Sequence, residues 1–202
     1  DAKDTTVAAL PSIIQYYKEK GYQFLGIDDE SIKKGLLDVV VPGRCERVGN
    51  KYNLPYELII DFAHTPDGLK NLLETLRALT KNRLIAVYGS GGDRDKVKRA
   101  EMGRIGSEIA DLVIITSDNP RTEDPIAILK EISCDIQKTN YLAIEDRVEA
   151  IRLAMDMAEP GDVVVLAGKG HETYMIGEDE VTRHFSETEV LEEYKKERGL
   201  NA

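Results

Sequence analysis

From about residue 57 onward, short and nearly unbroken apolar runs alternate with longer stretches whose apolar residues recur at helical spacing. Glu57–Asp61, Arg83–Tyr88, Leu112–Thr116 and Asp162–Ala167 read as strands, and a shorter one is expected near Tyr141–Ile144. Such continuous hydrophobicity marks strands buried on both faces. Between the strands, Pro66–Thr80 predicts a helix with Leu69, Leu72, Leu73, Leu76 and Leu79 on one face. Further helices are predicted from about Lys96 to Ala110, from Pro125 to about Ile136, over Arg147–Ala158, and over Glu187–Arg198. Strand and helix alternating at this spacing specify βαβ units, hence an α/β fold with a mostly parallel sheet of about six strands flanked by helices. Val181–Phe185, after the polar turn Gly177–Glu180, is expected to supply an antiparallel edge strand. Residues 1–41 differ: Val7–Lys20 and Ser31–Val39 look helical and no strand lies between them. With Val41-Pro42-Gly43-Arg44 as the turn, the expected organisation is a short helical segment (1–41) and one α/β domain (42–202).

Charge narrows the function classes. The chain carries 27 Lys plus Arg against 37 Asp plus Glu, a net charge of −10. That balance argues against a general nucleic-acid or membrane-surface binder, which needs a basic face. The apolar runs are far too short to span a bilayer, and no basic start followed by an apolar core reads as a signal peptide. Cys45 and Cys134 make neither a disulfide framework nor a metal-ligand spacing, so reduced thiols of a cytoplasmic protein are expected.

In parallel α/β sheets, ligands bind outside the carboxyl ends of the strands. Unusual residues concentrate there: Asp61-Phe62-Ala63-His64-Thr65-Pro66, Gly89-Ser90-Gly91-Gly92-Asp93-Arg94-Asp95, Ser117-Asp118-Asn119-Pro120-Arg121 and Gly168-Lys169-Gly170-His171-Glu172. Each also has a plain structural reading. The glycine loop serves as a strand-to-helix turn, Asp118-Asn119-Pro120 as an Asx turn, Asp93-Arg94-Asp95 as a helix cap, and the histidines as structural side chains. Four loops on one rim favour a ligand site over those separate readings. Arg94 and Arg121 offer guanidinium forks for a carboxylate, Asn119 an amide, and Glu172 a partner for an ammonium group. This set fits an amino-acid zwitterion and does not specify a reaction. No Ser or Cys has an evident His partner, and the histidines lack metal-binding spacing.

The strings VPGRCERV (41–48), DFAHTPDGL (61–69), GSGGDRDKVKRAEMG (89–103), TSDNPRTEDP (116–125) and AGKGHETY (167–174), in this order, resemble the C-terminal part of a Mur ligase of the diaminopimelate-adding type. The resemblance implies a Rossmann-like domain that brings an amino acid to ATP-dependent amide bond formation, through an acyl phosphate, in peptidoglycan synthesis. It implies meso-diaminopimelate binding by Arg94, Asp118, Asn119, Pro120, Arg121, Gly168 and Glu172, and an ATP-side role for Arg44, Asp61 and His64. UDP-MurNAc-L-Ala-D-Glu, ATP and Mg²⁺ are the implied companions, with no catalytic residue or metal ligand in this chain. The D-N-P-R version points to diaminopimelate, because lysine lacks the carboxylate that would pair with the arginine.

The G-T-x-G-K-T phosphate loop of the family is absent from these residues. Residues 1–41 resemble only the tail of the ATP-binding central domain. A fragment inactive by itself, with no bound cofactor, is therefore expected. A lysine-adding relative and a stand-alone binding module are the alternatives. Folylpolyglutamate synthetases share the architecture but are not expected to carry D-N-P-R.

Overall fold

The computed structural model describes residues 41–177 and 179–199, so the predicted helices at 7–20 and 31–39 lie outside the described residues. Burial alternates along the strands with a period of two, and that alternation sets the architecture. Leu84, Ala86 and Tyr88 face one apolar cluster, while Ile85 and Val87 face another. Val163, Val165 and Ala167 divide from Val164 and Leu166 in the same way.

The strands are β1 (Glu46–Arg47), β2 (Glu57–Asp61), β3 (Leu84–Tyr88), β4 (Leu112–Ile115), β5 (Tyr141–Ala143) and β6 (Val163–Ala167). They form one six-stranded sheet in the order β1-β2-β6-β3-β4-β5. Only β1 is antiparallel to its neighbour; Ile59 lies beside Val165, and Ala86 lies between Val165 and Val113. The helices are α1 (Pro66–Leu79), α2 (Val97–Ile109), α3 (Pro125–Ser133), α4 (Arg147–Met157) and α5 (Glu187–Glu197). Residues of α1, α2 and α3 cover one face of the sheet, through Leu69, Leu73, Met102 and Ile132. Residues of α4 and α5 cover the other, through Ile151, Met155, Leu191 and Tyr194.

Local chemistry starts these helices where the sequence says they should start. Thr65 Oγ1 accepts from the Gly68 amide at 3.2 Å ahead of Pro66, and Asp124 accepts from the Ile126 amide at 2.9 Å ahead of Pro125. Asp146 accepts from both Val148 and Glu149, at 2.7 and 3.1 Å. The Thr65 and Asp124 caps follow directly from loops at the carboxyl rim, so capping also fixes two of the loops that carry the candidate chemistry.

Two expectations need correction. Val181–Phe185 does not join the main sheet: β8 (Thr182–His184) pairs only with β7 (Tyr174–Ile176), in a separate antiparallel hairpin. Tyr174–Ile176 supplies the partner across the Gly177–Glu180 turn, and the antiparallel edge of the main sheet is instead β1, too short at two residues to show a pattern. Leu79, assigned to the same face as the buried leucines of α1, is 75% exposed as the helix's last residue. No helix among the described residues is long and apolar enough to cross a membrane.

Candidate functional site

The ends of β2, β3, β4 and β6 feed four loops that meet over one cavity of about 640 Å³. Its wall includes Phe62, His64, Gly91, Arg94, Asp118, Asn119, Arg121, Gly168, Glu172 and Tyr174. Six of the seven residues expected at the amino-acid site therefore line a single space. Pro120 is the exception. It lines a neighbouring cavity of about 730 Å³ shared with Val148, Met175 and Phe185, so the Asp118–Arg121 loop is the partition between the two.

Close backbone approach joins the glycine loop to that partition. The Gly92 amide donates to the Asn119 carbonyl at 2.8 Å, and a Cβ on Gly92 would lie 1.8 Å from the Pro120 carbonyl oxygen. Glycine is required there by space. At Gly168 it is required by conformation, since φ is +112° and a Cβ would sit 3.3 Å from Asp118 Oδ2.

Arg121 adopts φ +56°, an uncommon backbone conformation for an arginine. Its Nη1 donates to the Gly92 carbonyl at 2.8 Å and to the Asn119 carbonyl at 3.3 Å, so one arm of the fork is anchored. Nε and Nη2 have no protein partner among the described residues. Arg94 is exposed, and among the described residues its guanidinium hydrogen-bonds the Asp93 carbonyl at 3.3 Å. Asp93 caps no helix: it accepts from the Thr122 hydroxyl and amide, which hold its carboxyl below the usual range, while Asp95 accepts from the Val97 amide at 3.0 Å. Lys98 also lines the cavity; burial pushes its ammonium below the ordinary value, while Asp118 and Asp95 oppose that shift.

Two buried cations, neither read from the sequence as functional, set these loops. Arg99 is fully buried and donates to both Glu123 oxygens at 2.9 Å, to Glu131 at 2.5 Å and to the Gly91 carbonyl at 3.0 Å. The Arg99 hydrogen bonds, with Lys96 second, hold the Glu123 carboxyl far below the usual range. Glu123 in turn accepts from the Asp93 amide at 2.7 Å, which locks the glycine loop to the loop after Arg121. Lys169, also fully buried, donates to Asn119 Oδ1 at 2.7 Å and to Glu172 Oε2 at 3.3 Å. Nothing in periodicity separates such residues from solvated charges; only the fold buries them.

The residues expected on a nucleotide's side gather at the edge of the same rim. The Arg44 guanidinium stacks 4.6 Å over the Phe62 ring, and Phe62 meets His64 edge-on at 4.8 Å and His171 at 5.6 Å. Only His64 of the three expected residues lines the cavity. Asp61 braces the backbone, since its oxygens accept from the Cys45 and Ala63 amides, each at 2.7 Å. Among the described residues, no group of three His, Cys, Asp or Glu side chains is placed to hold a metal ion.

Comparison with known proteins assigns this fold to one family. Residues 43–170 match the family model described as Mur ligase, glutamate ligase domain. The chain is 59% identical over 167 residues to UDP-N-acetylmuramoyl-L-alanyl-D-glutamate–2,6-diaminopimelate ligase of Clostridium perfringens, covering 83% of this chain and 34% of that protein. It is 44% identical over 199 residues to the enzyme of the same name from Caldanaerobacter subterraneus, covering 96% and 41%. A solved structure of a ligase of that name superimposes with a TM-score of 0.73 at 33% identity, covering 96% of this chain and 39% of the other. A bifunctional folylpolyglutamate synthase/dihydrofolate synthase from Yersinia pestis follows at a TM-score of 0.56 and 28% identity, covering 71% and 32%. The chain thus spans between a third and two-fifths of the length of these curated relatives. By motif order, family match and fold together, the chain belongs to the Mur ligase family and carries its C-terminal, glutamate ligase domain.

Proposed function

We propose that this chain is the amino-acid-binding part of a cytoplasmic, diaminopimelate-adding Mur ligase. Residues 1–41 are the tail of its ATP-binding central domain and 42–202 the domain that receives the amino acid. One observation carries this reading: a guanidinium anchored by backbone carbonyls, Arg121, and a carboxylate, Glu172, line the same strand-end cavity. The distal end of meso-diaminopimelate is a carboxylate beside an ammonium group. Arg121 gives its remaining N–H donors to that carboxylate and Arg94 supplies a second guanidinium. Glu172 and the Gly168 carbonyl accept from the ammonium. Asp118 and Asn119 hold the wall in register, and Pro120 stiffens the partition behind them. L-Lysine would leave the Arg121 fork without an acceptor.

Held by its distal end, the diamino acid presents its other amine outward, toward the carboxylate it must join. When bound, ATP with Mg²⁺ supplies the phosphoryl group that activates the γ-carboxylate of the D-glutamate in UDP-MurNAc-L-Ala-D-Glu for amide formation. Arg44 and His64 would meet the nucleotide from the rim, and Asp61, with lone pairs left beyond its two backbone bonds, would accept from a ribose hydroxyl. Isothermal titration of the chain with meso-diaminopimelate and with L-lysine tests the assignment. Preferential binding of meso-diaminopimelate is the expected result; equal affinity, or preference for lysine, would overturn it in favour of a lysine-adding relative or a different ligand.

A further inference from the structure

A fully buried lysine is costly unless its charge is compensated, and an apolar side chain would fill the same space more cheaply. Lys169 is such a residue, on the strand-end loop behind the acidic part of the cavity wall. Its Nζ lies 3.3 Å from both Asp118 Oδ1 and Glu172 Oε2. It also donates to Asn119 Oδ1 at 2.7 Å and to the Tyr174 carbonyl at 2.9 Å. Asn119 Oδ1 accepts in addition from the Ile176 amide at 2.9 Å, so the lysine is built into the junction of the partition and the hairpin.

The charges around the cavity give that position a consequence. Arg94, Lys98 and Arg121 line it against Asp95, Glu101, Asp118 and Glu172, with His64 at the edge. Without Lys169, two neighbouring carboxylates would share the wall with no cation between them, only the Asn119 amide donating to Glu172 Oε2 at 3.4 Å, and the cavity would favour a cation. With Lys169, one of the two is balanced, and the other remains to face an ammonium while the arginines face a carboxylate.

We propose that Lys169 is a specificity-determining positioning residue: through Asp118, Asn119 and Glu172 it sets the cavity's charge to match a zwitterionic ligand end over a cationic one. This rests on the diaminopimelate reading above and adds to it a residue that touches no ligand. Lysine's side-chain end is cationic and that of meso-diaminopimelate zwitterionic, so the preference between them must follow the cavity's charge.

The test is the ratio of affinities for meso-diaminopimelate and L-lysine, measured by titration calorimetry on the 202-residue chain and three variants. Lys169→Met is expected to lower the ratio roughly tenfold, the scale of one nearby, partly screened charge. Asp118→Asn, which moves the charge the other way, is expected to raise it. The double variant is expected to return to within about threefold of wild type, because the charge is restored. A merely structural lysine predicts otherwise: equal losses for both ligands in Lys169→Met, and a double variant worse than either single one. Either of those results overturns the proposal. If thermal melts show that Lys169→Met does not fold, Asp118→Asn decides, and a ratio that falls there overturns it. A wild-type chain with no preference overturns the diaminopimelate reading together with this one, whereas a preference unchanged in Lys169→Met overturns the role of Lys169 alone.

Discussion

Replacing Arg147 with alanine is expected to destabilise the domain by about 3–5 kcal/mol, the cost of stripping one partner from a buried ion pair. Arg147 opens α4 and is 2% exposed. Its Nε and Nη2 donate to Glu187 Oε1, at the start of α5, at 3.0 and 2.7 Å. Nη1 donates to the Ser117 carbonyl at 3.2 Å and Nη2 to the Ala167 carbonyl at 2.9 Å. One guanidinium therefore ties two helices to the carboxyl ends of β4 and β6. Burial pushes the Glu187 carboxyl above its ordinary value and Arg147 opposes that shift, so the alanine variant abandons a buried acid as well as two carbonyls. Urea unfolding reads the effect as a lowered midpoint at an unchanged slope. The double variant Arg147→Met/Glu187→Leu should recover part of the loss, because no buried charge is left unpaired. A loss below about 1 kcal/mol for Arg147→Ala would mean that water reaches Glu187 and that the brace is weak. Ser117 and Ala167 immediately precede Asp118 and Gly168, so folded variants should also bind the amino acid less well.

The second large effect is expected at Arg121. Arg121→Ala should weaken meso-diaminopimelate binding roughly a hundredfold, the scale of losing a charge-assisted fork, and change L-lysine binding little. Arg121→Lys should not restore it. An ammonium cannot hold the Gly92 and Asn119 carbonyls while still presenting two parallel donors to a carboxylate. The comparison is made by calorimetry, with melting temperatures measured alongside. Parallel losses for both ligands would show that Arg121 only shapes the loop, and retained diaminopimelate affinity would remove it from the site.

Much of the sheet and most of the cavity were legible in the sequence, for reasons that particular residues make plain. Val163–Ala167 and Leu84–Tyr88 are buried on both faces, so their continuous apolar runs leave little room for another reading. Thr65-Pro66, Asp124-Pro125 and Asp146 announce helix starts through local bonds that any fold would use. The cavity was legible because parallel strands put their carboxyl ends on one rim, which converts four separate strings into one place. The rest depended on tertiary contacts. β1 is made by Arg47 meeting Ile59 across a two-residue ladder, a pairing without a periodic signal. Thr182–His184 has the residues of an edge strand, and only the presence of Tyr174–Ile176 beside it decides which sheet it joins. Arg99, Arg147 and Lys169 look like three charges among many until the fold removes them from water. Pro120 stands between two site residues in the chain, yet it faces the other side of the partition.

The central claim is that the loops after β3, β4 and β6 form one amino-acid site. Amide chemical-shift mapping on the isotopically labelled chain, titrated with meso-diaminopimelate, tests it most directly. The expected shifts cluster at Gly91, Arg94, Asn119, Arg121, Gly168 and Glu172, residues from three separate loops around one cavity. No shifts at those amides, or shifts confined to Val148, Met175 and Phe185 in the neighbouring cavity, would contradict it.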